Sequence, residues 1–231
     1  MAQFLDTDGD SDDSRDSWMS WYVSLQGHEH LLEVDEDFVR DNFNLYGLRQ
    51  MVDNYDNALE MILSSETPDD TDVKDQDFID VYQAASELYA LVHARFSLTV
   101  RGMQLMREKF VRAEYGRCPR ALCEEQPCLP CGLSDELGEH YRIYCPLCQQ
   151  TFKPRVKFPD LDGAAFGTSV PLMFFLTFPS LQPGVLPKFF VPRVFGFKVK
   201  GCESVVKGML REKKQARKWV DRRLDDSDSD L

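Results

Sequence analysis

The residues best suited to chemistry in this chain are its cysteines. Of seven, six fall between Cys118 and Cys148: Cys118, Cys123, Cys128, Cys131, Cys145 and Cys148, with Cys202 standing apart. They are spaced C-x4-C, C-x4-C, C-x2-C and C-x2-C. Two cysteines two to four residues apart can turn both sulfurs toward one ion, and two such pairs close the tetrahedral shell of a zinc ion. Thiolates suit zinc, which has no redox chemistry to turn on them. The pattern predicts a structural zinc ribbon holding one Zn2+ per chain. Cys145-Pro146-Leu147-Cys148 makes one knuckle. Spacing alone leaves its partner open between Cys118/Cys123 and Cys128/Cys131. His140 reads as a surface histidine rather than a ligand. Four sulfur ligands leave no open position, which disfavours hydrolytic zinc chemistry.

Other chemistry finds little support. No Gly-rich phosphate loop, H-R-D or D-F-G motif is present. The four histidines, His28, His30, His93 and His140, form no nucleophile–base pattern. The expectation is a binding protein and not an enzyme. The net charge of −12 opposes non-specific binding to nucleic acid and favours basic partners. A nucleic-acid-binding zinc ribbon, or a general adaptor built on one, is the alternative, confined by charge to the basic tail.

Around the cysteines the chain divides into segments. Residues 1–17 are acidic and Ser-rich, with too few apolar groups to fold. Residues 18–112 carry helical periodicity. Trp18, Trp21 and Tyr22 share one helix face, Asp35-Glu36-Asp37 reads as an acidic helix start, and Asn54 reads as a cap. The strongest helix spans about Asp77 to Thr99, with an apolar stripe of Phe78, Tyr82, Ala85, Leu88, Val92 and Phe96. Another covers about Gly102 to Arg112. Residues 113–168 form the ribbon segment, with a strand around Tyr141 to Tyr144. Residues 169–200 follow as a C-terminal segment, made extended between Pro183 and Pro192 by repeated prolines. A charged extension, 201–231, closes the chain, with a basic amphipathic helix over Val205 to Arg223. The fold class expected is α+β: an all-helical N-terminal domain, a small zinc ribbon with a three-stranded antiparallel sheet, and an extended tail.

The segment Glu66 to Asp80 has seven acids against the single Lys74. It is either a solvated loop or a docking patch for a polycation or basic protein face. The longest apolar stretch, Val170 to Pro179, is too short to cross a membrane and carries two prolines. The acidic start is the reverse of a secretory signal. The chain is expected in the cytoplasm and nucleus, without a membrane partner.

Long motifs carry a resemblance. SWMSWYVSLQGHEHLLEVDEDFVRDNFNLYGL, LYALVHARFSLTVRGMQLMREKF, CPRALCEEQP…LPCGLSDELGEHYRIYCPLC, DGAAFGTSVPLMFF and FVPRVFGFKV together span about Ser17 to Lys198. They resemble the regulatory beta subunit of casein kinase II. The resemblance implies a homodimer joined through zinc ribbons, with a catalytic chain bound at each end to form a heterotetramer. It implies zinc ligands at Cys118, Cys123, Cys145 and Cys148. Cys128 and Cys131 stand where the family carries apolar residues. It implies a catalytic-chain contact at Arg193, Val194, Phe195 and Phe197. There, two aromatics flanking a glycine in an extended segment would project to one side. Phe195, often Tyr in the family, keeps the apolar contact without a hydroxyl. The acidic loop, Glu66, Asp69, Asp70, Asp72 and Asp75, would bind polyamines or basic regulators. The charged extension has no counterpart. Within it Ser227 has Asp228 at +1 and Asp230 at +3, the pattern of an acid-directed kinase acceptor.

Overall fold

The structure is a computed structural model that describes residues 17–68, 75–154, 161–185, 187–201 and 204–212. Asp69, Asp70, Asp72, Cys202 and Ser227 lie outside the described residues. Six helices are bounded: α1 Trp18–Ser24, α2 Glu36–Arg40, α3 Tyr55–Ile62, α4 Gln76–Ser97, α5 Val100–Val111 and α6 Val170–Thr177. Residues 205–212 are also helical. A three-stranded antiparallel sheet runs in the order β1 Leu129–Cys131, β2 Arg142–Cys145, β3 Gln150–Phe152. A second ladder pairs β4 Arg193–Val194 with β5 Phe197–Lys198. The architecture is α+β. No described helix is long and apolar enough to cross a membrane.

The helices start where side chains supply missing acceptors. Ser17 Oγ accepts from the Ser20 N–H at 3.2 Å, Asp75 from the Asp77 N–H at 3.1 Å and Thr99 from the Gly102 N–H at 3.0 Å. Each satisfies an N–H that has no partner within its helix. Asn54 differs from the sequence reading. It precedes α3 with φ +51° and makes no side-chain cap. Along α4 the expected stripe turns inward. Ala85, Leu88, Val92 and Phe96 are buried, while Phe78 and Tyr82 near its start are half-buried. Trp18 stacks on Tyr22 at 4.6 Å and meets Tyr89 edge-on at 5.9 Å, closing the upper core.

One apolar core runs unbroken from Trp18 through the ribbon to Phe174. Two histidines fasten the helical part to the ribbon. His93 accepts the Leu32 N–H on Nε2 at 2.9 Å, so the proton sits on Nδ1, which donates to the Ala165 carbonyl at 2.5 Å. His30 Nδ1 is 2.6 Å from the Tyr141 hydroxyl. Burial pushes both imidazoles down to about 4.

The apolar stretch after Ser169 is helical. Pro171 sits in the first turn of α6, where no N–H is needed. Phe174 is fully buried against Phe110 and Phe178, whereas Leu172 and Leu176 are exposed.

Candidate metal centre and aromatic hairpin

The sheet explains how distant cysteines meet. The β2–β3 connection carries Cys145 and Cys148, with the Cys148 N–H bonded to the Cys145 sulfur. On the other side Cys118 precedes a 3-10 turn, Ala121–Cys123. Pro119 lies between, and the Arg120 N–H points at the Cys118 sulfur. Each loop thus bends around its own thiol, satisfying it with a backbone donor.

The sulfurs of Cys118, Cys123, Cys145 and Cys148 lie within 4.8 Å of one another, and all four residues are buried. Cys118 and Cys148 are 4.0 Å apart. Sulfurs at the corners of a tetrahedron about 2.3 Å from a zinc ion would be about 3.8 Å apart. The donor set and its spacing fit zinc without rebuilding the loops. Arg120 Nη1 lies 3.4 Å from the Cys123 sulfur and supplies a charge-assisted donor. Its Nη2 donates to the Lys188 carbonyl at 2.5 Å, and Lys188 pairs with Glu124. The C-terminal segment is therefore strapped to the same corner of the ribbon.

Spacing left two knuckles competing, and tertiary structure separates their members. Cys131 on β1 lies beside Arg142, its cross-strand partner on β2, and burial pushes its thiol up to about 11. Cys128 is buried with its sulfur 3.6 Å from the Gln126 carbonyl, and among the described residues the four-sulfur group is Cys118, Cys123, Cys145 and Cys148, without it. His140 is exposed, bridging to Asp162 through backbone.

The second candidate site is a hairpin tip. The sequence reading placed Phe195 and Phe197 in one extended segment, and this is corrected. Val194 pairs with Phe197 across a two-residue turn, and Phe195 and Gly196 occupy that turn at φ +46° and +87°. Positive φ at both positions is the signature of a type I′ hairpin, whose twist matches its strands. Gly takes this freely, but a bulky aromatic does not. Arg193 Nη1 donates to the Gly196 carbonyl at 2.9 Å and closes the tip. Phe195 is 96% exposed and Phe197 80%, with Val194 exposed beside them. Three apolar side chains thus stand in water on a two-strand support.

The acidic segment is seen only at its edges. Glu66 is exposed after α3. Asp75 has a structural task as the α4 cap.

Residues 17–198 match the family model of the casein kinase II regulatory subunit. The chain belongs to this family. It is 40% identical to the casein kinase II subunit beta of Schizosaccharomyces pombe over 220 residues, covering 93% of each chain. Against the subunit beta of Dictyostelium discoideum it is 39% identical, covering 93% of this chain and 81% of that one. Against the subunit beta' of Drosophila melanogaster it is 44% identical over 198 residues, covering 82% and 86%. The family match spans both the cysteine cluster and the aromatic hairpin.

Sequence reasoning missed the two histidine ties and Asp135, whose carboxylate accepts the Thr168 N–H at 2.7 Å and steadies the turn before α6. Their partners lie far away in sequence, so no local pattern marked them.

Proposed function

We propose that this chain is the non-catalytic regulatory and scaffolding subunit of a casein kinase II holoenzyme. The observation that carries this reading is the exposed Phe195–Gly196–Phe197 tip, within the part of the chain that the family model matches. Aromatic anchors on a preformed hairpin lose little conformational entropy on binding and bury a large apolar area. The catalytic chain supplies the pocket, and Val194 and Arg193 flank the contact.

In this reading one zinc ion per chain, held by Cys118, Cys123, Cys145 and Cys148, fixes the ribbon. The bound ion supplies folding free energy and no reaction step. Two chains join through their ribbons. Supporting this, α6 lies against β1 and leaves Leu172 and Leu176 uncovered. The dimer brings two catalytic chains together. It favours their active state only to the extent that it binds that state more tightly.

The acidic segment around Glu66 and Asp75 widens the docking surface for basic substrates, regulators or polyamines. The holoenzyme modifies Ser227, and phosphate there adds to an already acidic end. Peptide mapping after incubation with ATP should find phosphate on Ser227; an unmodified Ser227 rejects that assignment. The chain works in cytoplasm and nucleus, which imaging of a tagged full chain tests.

The experiment for the main reading is native mass spectrometry of the full chain mixed with a casein kinase II catalytic chain. The expected species is a four-chain complex with one zinc per regulatory chain. Absence of any complex with the catalytic chain would overturn the reading.

A further inference from the structure

A cleft of about 300 Å3 opens between the end of α4 and the turn ahead of α6. Its floor is apolar. Leu48, Leu91 and Phe166 are buried there, while Met51 and Leu98 on its lining stay 49% and 41% exposed. Two charged groups also line it. Arg95 donates through both Nη atoms, to the Asn44 and Tyr46 carbonyls. Donation in the plane of the guanidinium leaves its flat face for a ring to stack on. Asp135 accepts the Thr168 N–H on Oδ1 at 2.7 Å and the Thr168 hydroxyl on Oδ2 at 3.3 Å. Each carboxylate oxygen can accept two hydrogen bonds, so capacity for a further donor remains.

An apolar floor, a flat cation and an acceptor together suit an indole. Its rings are apolar, its face attracts a cation and its N–H donates. Trp18 and Trp21 belong to the aromatic cluster of α1 and do not line the cleft. The third tryptophan of the chain is Trp219. It stands among Lys213, Lys214, Arg217, Lys218, Arg222 and Arg223, against one acid, Asp221. On the cleft side Asp135 and Glu136 are exposed, so the charges are complementary. The helix that ends the described residues lies against the ribbon, with Gln150 of β3 donating to the Met209 sulfur at 3.0 Å. β3 lies two strand spacings, about 10 Å, from β1, and Asp135 follows β1 by four residues. The lead from Glu212 to Trp219 is seven residues, up to about 25 Å when extended.

We propose that this cleft is the seat of the chain's own C-terminal extension, with Trp219 stacked on Arg95 and its indole N–H donated to Asp135. Seated there, the extension ties the helical part to the ribbon at a place apart from the two histidines.

The test is acrylamide quenching of Trp219 in the full chain, taken as the difference between wild type and Trp219→Phe. An intramolecular contact favoured about tenfold leaves roughly a tenth of the indole free. Trp219 should then quench about tenfold more slowly than in a synthetic peptide of residues 213–223. Ala94 also lines the cleft, and Ala94→Leu, read against its own Trp219→Phe blank, should restore the quenching of the peptide. Quenching of wild-type Trp219 at the peptide's rate overturns the proposal, as does shielding that Ala94→Leu leaves unchanged. Carbodiimide coupling gives a second reading that leaves the cleft unaltered and decides if Ala94→Leu fails to fold. Lys218 should couple to Asp135 or Glu136 within one chain, and Trp219→Ala should lower that yield about tenfold. No such link overturns the proposal, and so does a link formed only between copies in a mixture of light and isotope-labelled chains.

Discussion

Phe195 is exposed, aromatic and held at positive φ, three properties that together cost a free protein stability. A partner pocket that covered the ring would recover that cost. Truncating anchors of this type weakens binding by about 2 kcal/mol each, a factor of about 30. Phe195→Ala and Phe197→Ala should each weaken capture of the catalytic chain by that order, measured by calorimetry. The zinc content and melting temperature of the free chain should hardly move, because both rings lie outside the core. Gly132 shows the opposite situation at the same scale. A Cβ there would meet the Gly163 and Ser134 carbonyl oxygens, each at 2.6 Å. These are backbone atoms and cannot swing aside. Gly132→Ala should cost about 1–3 kcal/mol, read as a lower midpoint in urea denaturation with zinc present.

Elements meet through polar ties as well as apolar packing. His93 on α4 reaches both Leu32 before α2 and Ala165 before α6, using both ring nitrogens. Only the neutral ring can accept from Leu32. Its folded value of about 4 lies below the usual 6.5, and His30 behaves likewise. Groups depressed in the folded state contribute stability that is complete above the unfolded value and is lost as pH falls through the folded one. The melting temperature should therefore be flat above about pH 6.5 and fall between there and pH 4. His93→Leu should flatten part of that slope while lowering stability at pH 7.5, because the Leu32 N–H and Ala165 carbonyl are left unpaired. An equal slope in wild type and variant would remove His93 from this role.

At the scale of the whole molecule, the ribbon and the helical part share one core, so neither stands alone energetically. Loss of metal then reaches beyond the ribbon. Replacing Cys145 by Ser removes a fully buried member of the cluster. The variant should lose zinc and sediment as monomer or aggregate in analytical ultracentrifugation, since structural zinc is folding free energy. A zinc-free but stable dimer of that variant would sink the idea that metal holds the dimer face.

Local periodicity and spacing were enough for several features. The α4 stripe, the strand near Tyr144 and the presence of a cysteine centre follow from patterns a few residues long, because a helix or knuckle is built from near neighbours. Residue spacing was ambiguous wherever distant segments had to meet. It could not rank Cys118/Cys123 against Cys128/Cys131, because both pairs have workable separations; only the closed chain gathers the sulfurs of Cys118 and Cys123 with those of Cys145 and Cys148. It read Phe195 as extended, because the two-residue turn depends on Val194 finding Phe197 across the ladder. It gave the stretch from Val170 no element, since an almost uniformly apolar run carries no periodic signal. Long-range partners, such as Ala165 for His93, are fixed only when the chain closes on itself. What the sequence determined by itself was the chemistry available and the elements that carry it. Which thiols share a centre and which aromatics stay in water were settled by tertiary contacts, because burial and sulfur–sulfur distance are properties of the closed chain.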